Sequence, residues 1–463
     1  MMRQLLKQFA GVEKLARKLV SLYPLSARLG PSFWEWYAFL QESEQWPVDK
    51  LREFQFAELR RLLPRLAATS PFYSARLAGV PVSQLDSLEA LRRHIPALSR
   101  AEFTDNYRDI ISKDFRPRSV MKSGTSGTTG SALQFYHPAR HRQREWASIC
   151  HQWKRVGYEP ARSGRAEFRG LTRGGALFQD FPEQNMARFS ILDLRADTLP
   201  AMADAITARR LRFFHGYPSA FYLLAREIQQ SGVRFPQPEA VLLASEMVYD
   251  FQIEQIQAVF PQARLFAHYG CAEATVLAAW CEHRRVYHVL PQYSLTEIDT
   301  TTGEILGTNL FNDVNGFVRY RMTDVACDVR SAPCPACGRA YTPVFGSIDG
   351  RQEDYLYSTE RGWIAPAIVT YPLKNLRHIR ELQFSQEVPE AITLKYLLHA
   401  APNPDAVRRE LTQIESDLRV LIGQAPRLEL EQVDELPRGP TGKFKWIVSR
   451  LDPRTSGLKG GRS

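Results

Sequence analysis

The sequence contains no apolar run that approaches the length of a bilayer span, and Lys7, Glu13, Lys14, Arg17 and Lys18 interrupt its start. A transmembrane helix and an ordinary secretory signal are therefore not expected. Cysteine is scarce, six in 463 residues, which argues against the disulfide framework of small secreted domains. No block of like charge occurs either. Lys and Arg number 60 against 50 Asp and Glu, a formal charge of +10 spread along the chain, and this reads as a basic soluble enzyme before it reads as a nucleic-acid binder. There is no internal repeat. The expected setting is a reducing cytoplasm, and a hydrophobic share of 44% in a chain of this length suits roughly two to three globular domains.

What is present is most distinctive between Lys122 and Ser131, Lys-Ser-Gly-Thr-Ser-Gly-Thr-Thr-Gly-Ser. Glycines at 124, 127 and 130 permit positive φ and close backbone approach, so successive N–H groups can face one concavity while hydroxyls add donors. Such a nest suits a triphosphate. It is not a Walker A loop, because Ser131 stands where that motif needs lysine. A flexible Ser/Gly linker is the bland alternative. The helix expected over 138–157 follows the loop, an order in which a helix N-terminus adds its dipole to an anion site.

Residues 2–23 place Leu5, Leu6, Phe9, Val12, Ala16, Leu19, Val20 and Tyr23 near one helical face, suited to packing on the protein's own body or to weak contact with a membrane surface. A helix is expected from Val48 to Leu66, broken by Ser70-Pro71-Phe72-Tyr73. Alternating apolar runs and helical patterns from 189 to 267 then predict βαβ units and a largely parallel sheet, with helices near 198–210 and 218–231 and strands at 211–216, 240–244 and 263–267. Ligands sit beyond the carboxyl ends of such strands. Three strand ends fit: Gly216-Tyr217-Pro218-Ser219, Ala244-Ser245-Glu246, and His268-Tyr269-Gly270-Cys271-Ala272-Glu273. From about 293 hairpin-like strands predict a small antiparallel or barrel subdomain. The last stretch of about 110 residues carries a helix over 404–422, a strand near 427–433 and a terminal short helix after Gly442-Lys443, and reads as a separate domain.

The ordered set of a Ser/Thr/Gly loop, Tyr-Gly-x-x-Glu at 269–273, Arg-Tyr-Arg-x-x-Asp at 319–324, Gly-Arg-x-x-Asp at 350–354 and a terminal Gly-Lys resembles the acyl-adenylate-forming superfamily. Within it the phenylacetate-CoA ligase, coenzyme F390 synthetase and CapK-like group is the most similar, and the resemblance extends to Phe54-Gln55, Ser70-Pro-Phe-Tyr, Asn309-Leu-Phe-Asn and the Cys-Pro-x-Cys-Gly-Arg turn. It implies an α/β fold: a large adenylate-forming N-terminal domain over 1–350, with parallel sheets, helices, a small β-barrel and an N-terminal helical layer. A small mobile α+β C-terminal domain over 351–452 and a disordered tail over 453–463 complete it. It also implies an ATP- and Mg²⁺-dependent ligase, an enzyme of the AMP-forming acid–thiol class, that forms an acyl-adenylate and passes the acyl group to a thiol, with coenzyme A as the default acceptor. Acyl or adenylyl transfer to an amine, hydroxyl or carrier in polysaccharide or secondary-metabolite assembly is one alternative. A catalytically silent scaffold that binds nucleotide or a membrane surface is another.

The same resemblance assigns roles. Ser123, Thr125, Ser126, Gly127, Thr128, Thr129 and Gly130 would bind ATP, those from 125 to 130 through its β- and γ-phosphates. Ser245 and Glu246 would line the adenine pocket, Tyr269 with Gly270 would lie against adenine, and Glu273 would hold Mg²⁺. Asp324 would accept both ribose hydroxyls with Arg351 beside them. Lys443 would enter to bridge the substrate carboxylate and the α-phosphate, with Lys445 as its neighbouring decoy. Glu353 would be the hinge. Trp146, Tyr217, Phe221 and His268 suggest a pocket for an aromatic or medium-sized apolar acid. Ala272 and Ser131 depart from the pattern, at positions where a phosphate-binding hydroxyl and a loop-ending lysine are common. Cys281, with His283 and His288 downstream, and Cys334-x-x-Cys337 have zinc-like spacing. Similar relatives place the fourth ligand at His288, giving a structural Zn²⁺ site of Cys281, His288, Cys334 and Cys337.

Overall fold

A computed structural model describes residues 17, 19–116, 119–124, 133–169, 176–349, 355–369, 373, 376, 378–398, 403–437 and 446–451. Most of the expected N-terminal amphipathic helix, Thr125 to Ser131, Arg351, Glu353, Lys443, Lys445 and the tail lie outside them.

After a short helix at Leu25–Leu29, the described chain forms two longer helices, α1 (Pro31–Ser43) and α2 (Val48–Thr69). Leu51, Phe56, Leu59, Leu62, Leu63 and Leu66 recur at helical spacing and are buried, so one stripe of α2 drives its packing. The helix tolerates Pro64 and stops at Ser70, whose hydroxyl accepts from the Tyr73 N–H and starts a new short helix, Pro71–Arg76. Inside α2, buried Gln55 donates to the Pro291 and Ser294 carbonyls at 3.0 and 2.8 Å, which fixes the helical layer to the antiparallel subdomain.

Strands β1 (Val120–Gly124) and β2 (Gln134–Pro138) form an antiparallel hairpin in which Gly124 faces Gln134. The Ser/Thr/Gly stretch therefore joins two paired strands. This corrects the loop-then-helix expectation: the next helix, α3 (His141–Trp153), begins only after β2, so its N-terminus does not follow the loop directly.

The central sheet has nine strands. Its members are β3 (Arg165–Phe168), β4 (Phe178–Phe181), β5 (Met186–Phe189), β6 (Phe213–Gly216), β7 (Ala240–Ala244), β8 (Arg264–Gly270), β9 (Leu277–Trp280), β10 (Tyr287–Val289) and, from later in the chain, the short segment Val344–Phe345 at the edge beside β10. The run β5, β3, β6, β7, β8 is parallel. The connections carry α4 (Leu199–Ala208), α5 (Pro218–Ser231) and α6 (Asp250–Val259). Strand β7, Ala-Val-Leu-Leu-Ala, is buried throughout, as expected of a strand covered on both faces. At the end of β6 a Cβ on Gly216 would stand 2.2 Å from the Phe168 carbonyl, so only glycine allows β3 and β6 to close up there.

A four-stranded antiparallel sheet follows, built from β11 (Leu295–Ile298), β12 (Glu304–Thr308), β13 (Tyr320–Cys327) and β14 (Ser347–Asp349). Register slips between β12 and β13, so Glu304 pairs with Val325 while Leu306 pairs with Arg321, and Thr323 adopts φ +63° in the bulge.

Beyond a small hairpin, β15 (Leu356–Ser358) with β16 (Gly362–Ile364), the chain closes in a sheet of β17 (Ile379–Val388), β18 (Ala391–Leu398), β19 (Arg427–Gln432) and β20 (Ile447–Ser449). Helix α7 (Pro404–Ile422) buries Val407, Ile414, Leu418, Leu421 and Ile422 and is N-capped by Asn403. The terminal short helix expected after Gly442-Lys443 is instead strand β20, parallel to β17. Its β-branched pair Ile447-Val448 finds hydrogen bonds along an edge of β17, with the Phe384 N–H donating to the Trp446 carbonyl at 2.8 Å and the Arg450 N–H to Gln386 at 2.9 Å.

Candidate active site at the strand ends

Of the expected site residues that the structure describes, Tyr217, Ser245, Glu246, His268, Tyr269, Gly270 and Glu273 lie at or just past the carboxyl ends of β6, β7 and β8, while Ser123 lies in β1. Tyr269 lies within β8, and its hydroxyl donates to Asp324 Oδ2 at 2.7 Å, linking the central sheet to the antiparallel one. Burial, then the Asp324 charge, pushes the Tyr269 phenol well above its ordinary value, so it stays a donor. Asp324 reaches Tyr269 because it sits in the bulge of β13, and the arginines of its motif anchor that bulge. Buried Arg319 forks onto Glu297 at 2.8 and 3.1 Å, and Arg321 pairs with Glu304. Both guanidiniums act as scaffold.

Glu273 is buried in the turn after β8, next to Ala274 at φ +56°. Two asparagines organise this turn. Asn309 Nδ2 donates to the Glu273 carbonyl at 3.1 Å, and Asn312 Nδ2 donates to the Tyr136 carbonyl at 2.9 Å. Between them His137, in β2, donates from Nε2 to the Ala272 carbonyl at 2.8 Å, while its Nδ1 faces the Asn312 amide at 3.4 Å. A carbonyl only accepts, so the proton is on Nε2. Burial, then neighbouring His141, brings the His137 imidazole down to about 4 and keeps it neutral. The root of the Ser/Thr/Gly hairpin is thus pinned to the Tyr-Gly-x-x-Glu turn. His137 and Asn312 were not singled out from the sequence; Asn309-Leu-Phe-Asn312 was the signal that pointed here.

Ser245, φ +70°, is exposed at the end of β7. Glu246 Oε2 accepts from the Ser219 N–H at 3.1 Å, at the first turn of α5, where a carboxylate suits the helix dipole. Tyr217 caps the same helix and accepts from Arg169 Nε at 3.2 Å. Trp146 and His268 are half-buried around Trp153, whose ring meets Trp146 edge-on at 5.3 Å. Phe221 does not join them: it is fully buried and packs on Phe168 and Phe214, at 5.4 and 6.5 Å between ring centroids, so its expected place in the substrate pocket is corrected to the sheet–helix core. Helical period put it one turn past the strand end, facing inward.

A cavity of about 310 Å³ lies beside Ala274, lined by Trp36, Arg65, His141, Arg144, Tyr293 and Phe311 among others. Arg144 is stacked on Trp36 and Phe311, 5.1 and 4.7 Å from their ring centroids, so its charge is committed to packing.

Cys281, His288, Cys334 and Cys337 come together as well, their ligand atoms all within 4.8 Å of one another. His288 Nε2 is 3.7 Å from Cys337 Sγ. His283 stands outside the group, exposed and beside Glu282. Two thiols show how the site treats charge: burial raises Cys281 to about 11, whereas at Cys334 the Ala336 and Cys337 N–H groups outweigh burial and lower it. Three sulfurs and one imidazole at this spacing fit tetrahedral zinc. Arg339 braces the turn by donating to Glu44 and Glu282 at 2.7 to 2.8 Å.

Residues 356–450 match the CapK C-terminal domain family. Protein CapK of Staphylococcus aureus is 18% identical over 411 residues, 87% of this chain and 90% of the relative. Among solved structures, a 2-hydroxyisobutyryl-CoA ligase with 2-HIB-AMP and CoA in the thioesterification state aligns at a TM-score of 0.57 and 17% identity, covering 89% of this chain and 92% of that one. The same ligase in the postadenylation state with an acyl-AMP aligns at 0.52 and 15%, covering 90% and 92%. The chain has the fold of the AMP-forming acyl-CoA ligases, and its C-terminal part is similar to that of the CapK-like group.

Proposed function

We propose that the protein is an ATP-dependent ligase that activates a carboxylic acid as an acyl-adenylate and passes the acyl group to coenzyme A. The observation that carries this reading is the Tyr269–Asp324 bond at a strand end, next to buried Glu273 and to a hairpin rooted against the same turn. Asp324 presents a carboxylate to a vicinal diol, as a ribose offers, while the Tyr269 ring presents a face to a base. Glu273 would be the protein ligand of Mg²⁺, which takes carboxylate and phosphate oxygens. Attack of the acid's carboxylate on the α-phosphate releases pyrophosphate, and attack of a thiol on the acyl carbon then releases AMP. Lys443 would neutralise the two anions that meet in the first step. Zn²⁺ on Cys281, His288, Cys334 and Cys337 would be structural, since four protein ligands leave no open position for substrate.

The domain division at about 350, with Arg351 on the ribose and Glu353 as pivot, belongs to the same reading. Exchange of labelled pyrophosphate into ATP, driven by a panel of acids, tests it. We expect acid-dependent exchange that Lys443→Ala reduces by at least a hundredfold while ATP still protects the N-terminal domain against heat. A chain that binds ATP but exchanges with no acid would be the silent scaffold.

A further inference from the structure

Two imidazoles stand at the carboxyl end of the parallel sheet, His215 in β6 and His268 in β8, their rings 6.2 Å apart and inclined by 19°. They are held differently. His215 Nδ1 lies 3.5 Å from Glu167 Oε1, and Glu167 is also bound by Arg188 at 2.7 Å. His268 has no carboxylate beside it in the described structure; its neighbour is Trp153, whose Nε1 lies 3.4 Å from His268 Nδ1. An indole N–H only donates, so Nδ1 must accept and cannot carry the proton. Burial, then the charges of His215 and Arg169, keeps the ring neutral by bringing it down to about 3. The one proton of a neutral imidazole is then on Nε2. That atom has no hydrogen-bond partner among the described residues, and it is not among the sealed, unsatisfied polar atoms of the interior. His268 is only half-buried, so its ring remains open to a ligand or to water.

Strand geometry says which face of the sheet it takes. Successive side chains leave a strand on opposite faces, so Tyr269 turns toward Asp324 while His268 turns toward Trp153 and α3. The nucleotide face and the His268 face are the two sides of one strand end. We propose that His268 is a specificity-determining donor: its Nε2–H, set in place by Trp153, points into the acyl pocket, and the acid that this chain activates carries an oxygen acceptor, a hydroxyl or keto group, on its carbon skeleton. This rests on the ligase reading above. It also changes the apolar pocket expected from Trp146 and Tyr217, because a site built to donate leaves that donor unpaired when a plain hydrocarbon chain binds.

The test is pyrophosphate exchange with matched acids, each hydrocarbon acid beside its oxygenated counterpart: butanoate with 3-hydroxybutanoate, 2-oxobutanoate and 2-hydroxybutanoate, and phenylacetate with mandelate and 4-hydroxyphenylacetate. We expect at least one oxygenated acid to exceed its partner roughly tenfold or more in kcat/KM. In His268→Leu that ratio should fall to near one, with the KM for ATP unchanged. In His268→Gln, which keeps a side-chain N–H donor, most of the ratio should return. Trp153→Phe, a change at a positioning residue, should lower the ratio because either tautomer is then open to His268. The inference is overturned if the hydrocarbon acid is used as well as its counterparts in both series, or if the preference survives in His268→Leu. Failure of every acid to support exchange in the wild-type protein would instead overturn the ligase reading.

Discussion

At the scale of single residues, the site is assembled by groups that hold one another in place across distant elements. Asp324 accepts a hydrogen bond from the Tyr269 hydroxyl, and a carboxylate can accept several at once. Asp324→Ala is therefore expected to remove discrimination between ATP and 2′-deoxyATP in pyrophosphate exchange and to raise the KM for ATP about tenfold or more, a loss of about 1.4 kcal/mol or more. Equal discrimination in the variant would place the ribose elsewhere. Another buried imidazole sets a pH limit instead. Both ring nitrogens of His151 are sealed without a partner among the described residues, and burial brings it down to about 4 although Glu44 pulls the other way. Above the ordinary imidazole range folded and unfolded chains are both neutral here, so nothing is lost. Below it the unfolded chain takes up a proton that the folded one refuses until about pH 4, and stability falls across that window. His151→Phe is expected to melt several degrees above the wild type at pH 5 and to gain less at pH 8, measured by calorimetry; an equal gain at both would remove proton uptake as the cause.

At the scale of elements, the decisive pieces are a bulge, a knuckle and a hairpin. The bulge in β13 gives Asp324 its reach, and Arg319 and Arg321 hold it from behind. In the knuckle, the Cys334–Cys337 turn faces Cys281 and the β10 residue His288. Purified protein is expected to hold about one zinc per chain by elemental analysis. Stripping it should lower the melting temperature by many degrees while the residual folded fraction still exchanges pyrophosphate, because a closed site contributes to folding more than to chemistry. A metal-free protein of unchanged stability would mean that the four ligands work as reduced thiols and an imidazole. The hairpin of β1 and β2 binds its root to the Ala272 carbonyl through His137, so departures from the family pattern at that residue change a side chain without loosening this contact.

At the scale of the whole molecule, residues 355–364 join the two halves and hold on to both. Arg361 pairs with Glu227 of α5 at 2.6 Å, Arg226 donates to the Glu360 carbonyl at 3.2 Å, and Tyr355 stacks edge-on against Tyr249 at 5.4 Å. On the other side Gln386 of β17 exchanges two 2.7 Å bonds with the Tyr357 backbone. A pivot ahead of this hairpin carries it along with the later residues and exchanges its contacts to α5, and it has to lie in residues that absorb large φ/ψ changes. With the pivot at Glu353, Glu353→Pro is expected to leave a single turnover of pyrophosphate release intact and to lose most acyl transfer, trapping acyl-AMP, because proline fixes φ and removes an N–H. Chromatography of quenched reactions reads this directly; an equal fall in both half-reactions would put the hinge elsewhere.

Local pattern determined the elements with strong periods and strong caps. The helix from Val48, the pair Pro218–Ser231 and Ala240–Ala244, and Pro404–Ile422 begin or end where capping residues and apolar spacing placed them. The order of short motifs was likewise enough to anticipate the fold, and the cysteine spacing, with the resemblance that chose His288 over His283, to anticipate the cluster of Cys281, His288, Cys334 and Cys337. What depends on pairing between distant strands was not legible. The partner of β1 made a hairpin of a loop expected to feed a helix, an open edge of β17 drew Ile447–Ser449 into a strand, and Phe221 turned inward to Phe168 and Phe214. Nor does any local signal say that the Trp153 indole meets His268, since those residues lie 115 positions apart and only the closed sheet brings α3 over β8. Short-range preferences are written in neighbouring residues, whereas register, facing and tautomer are settled by whichever group the fold places opposite.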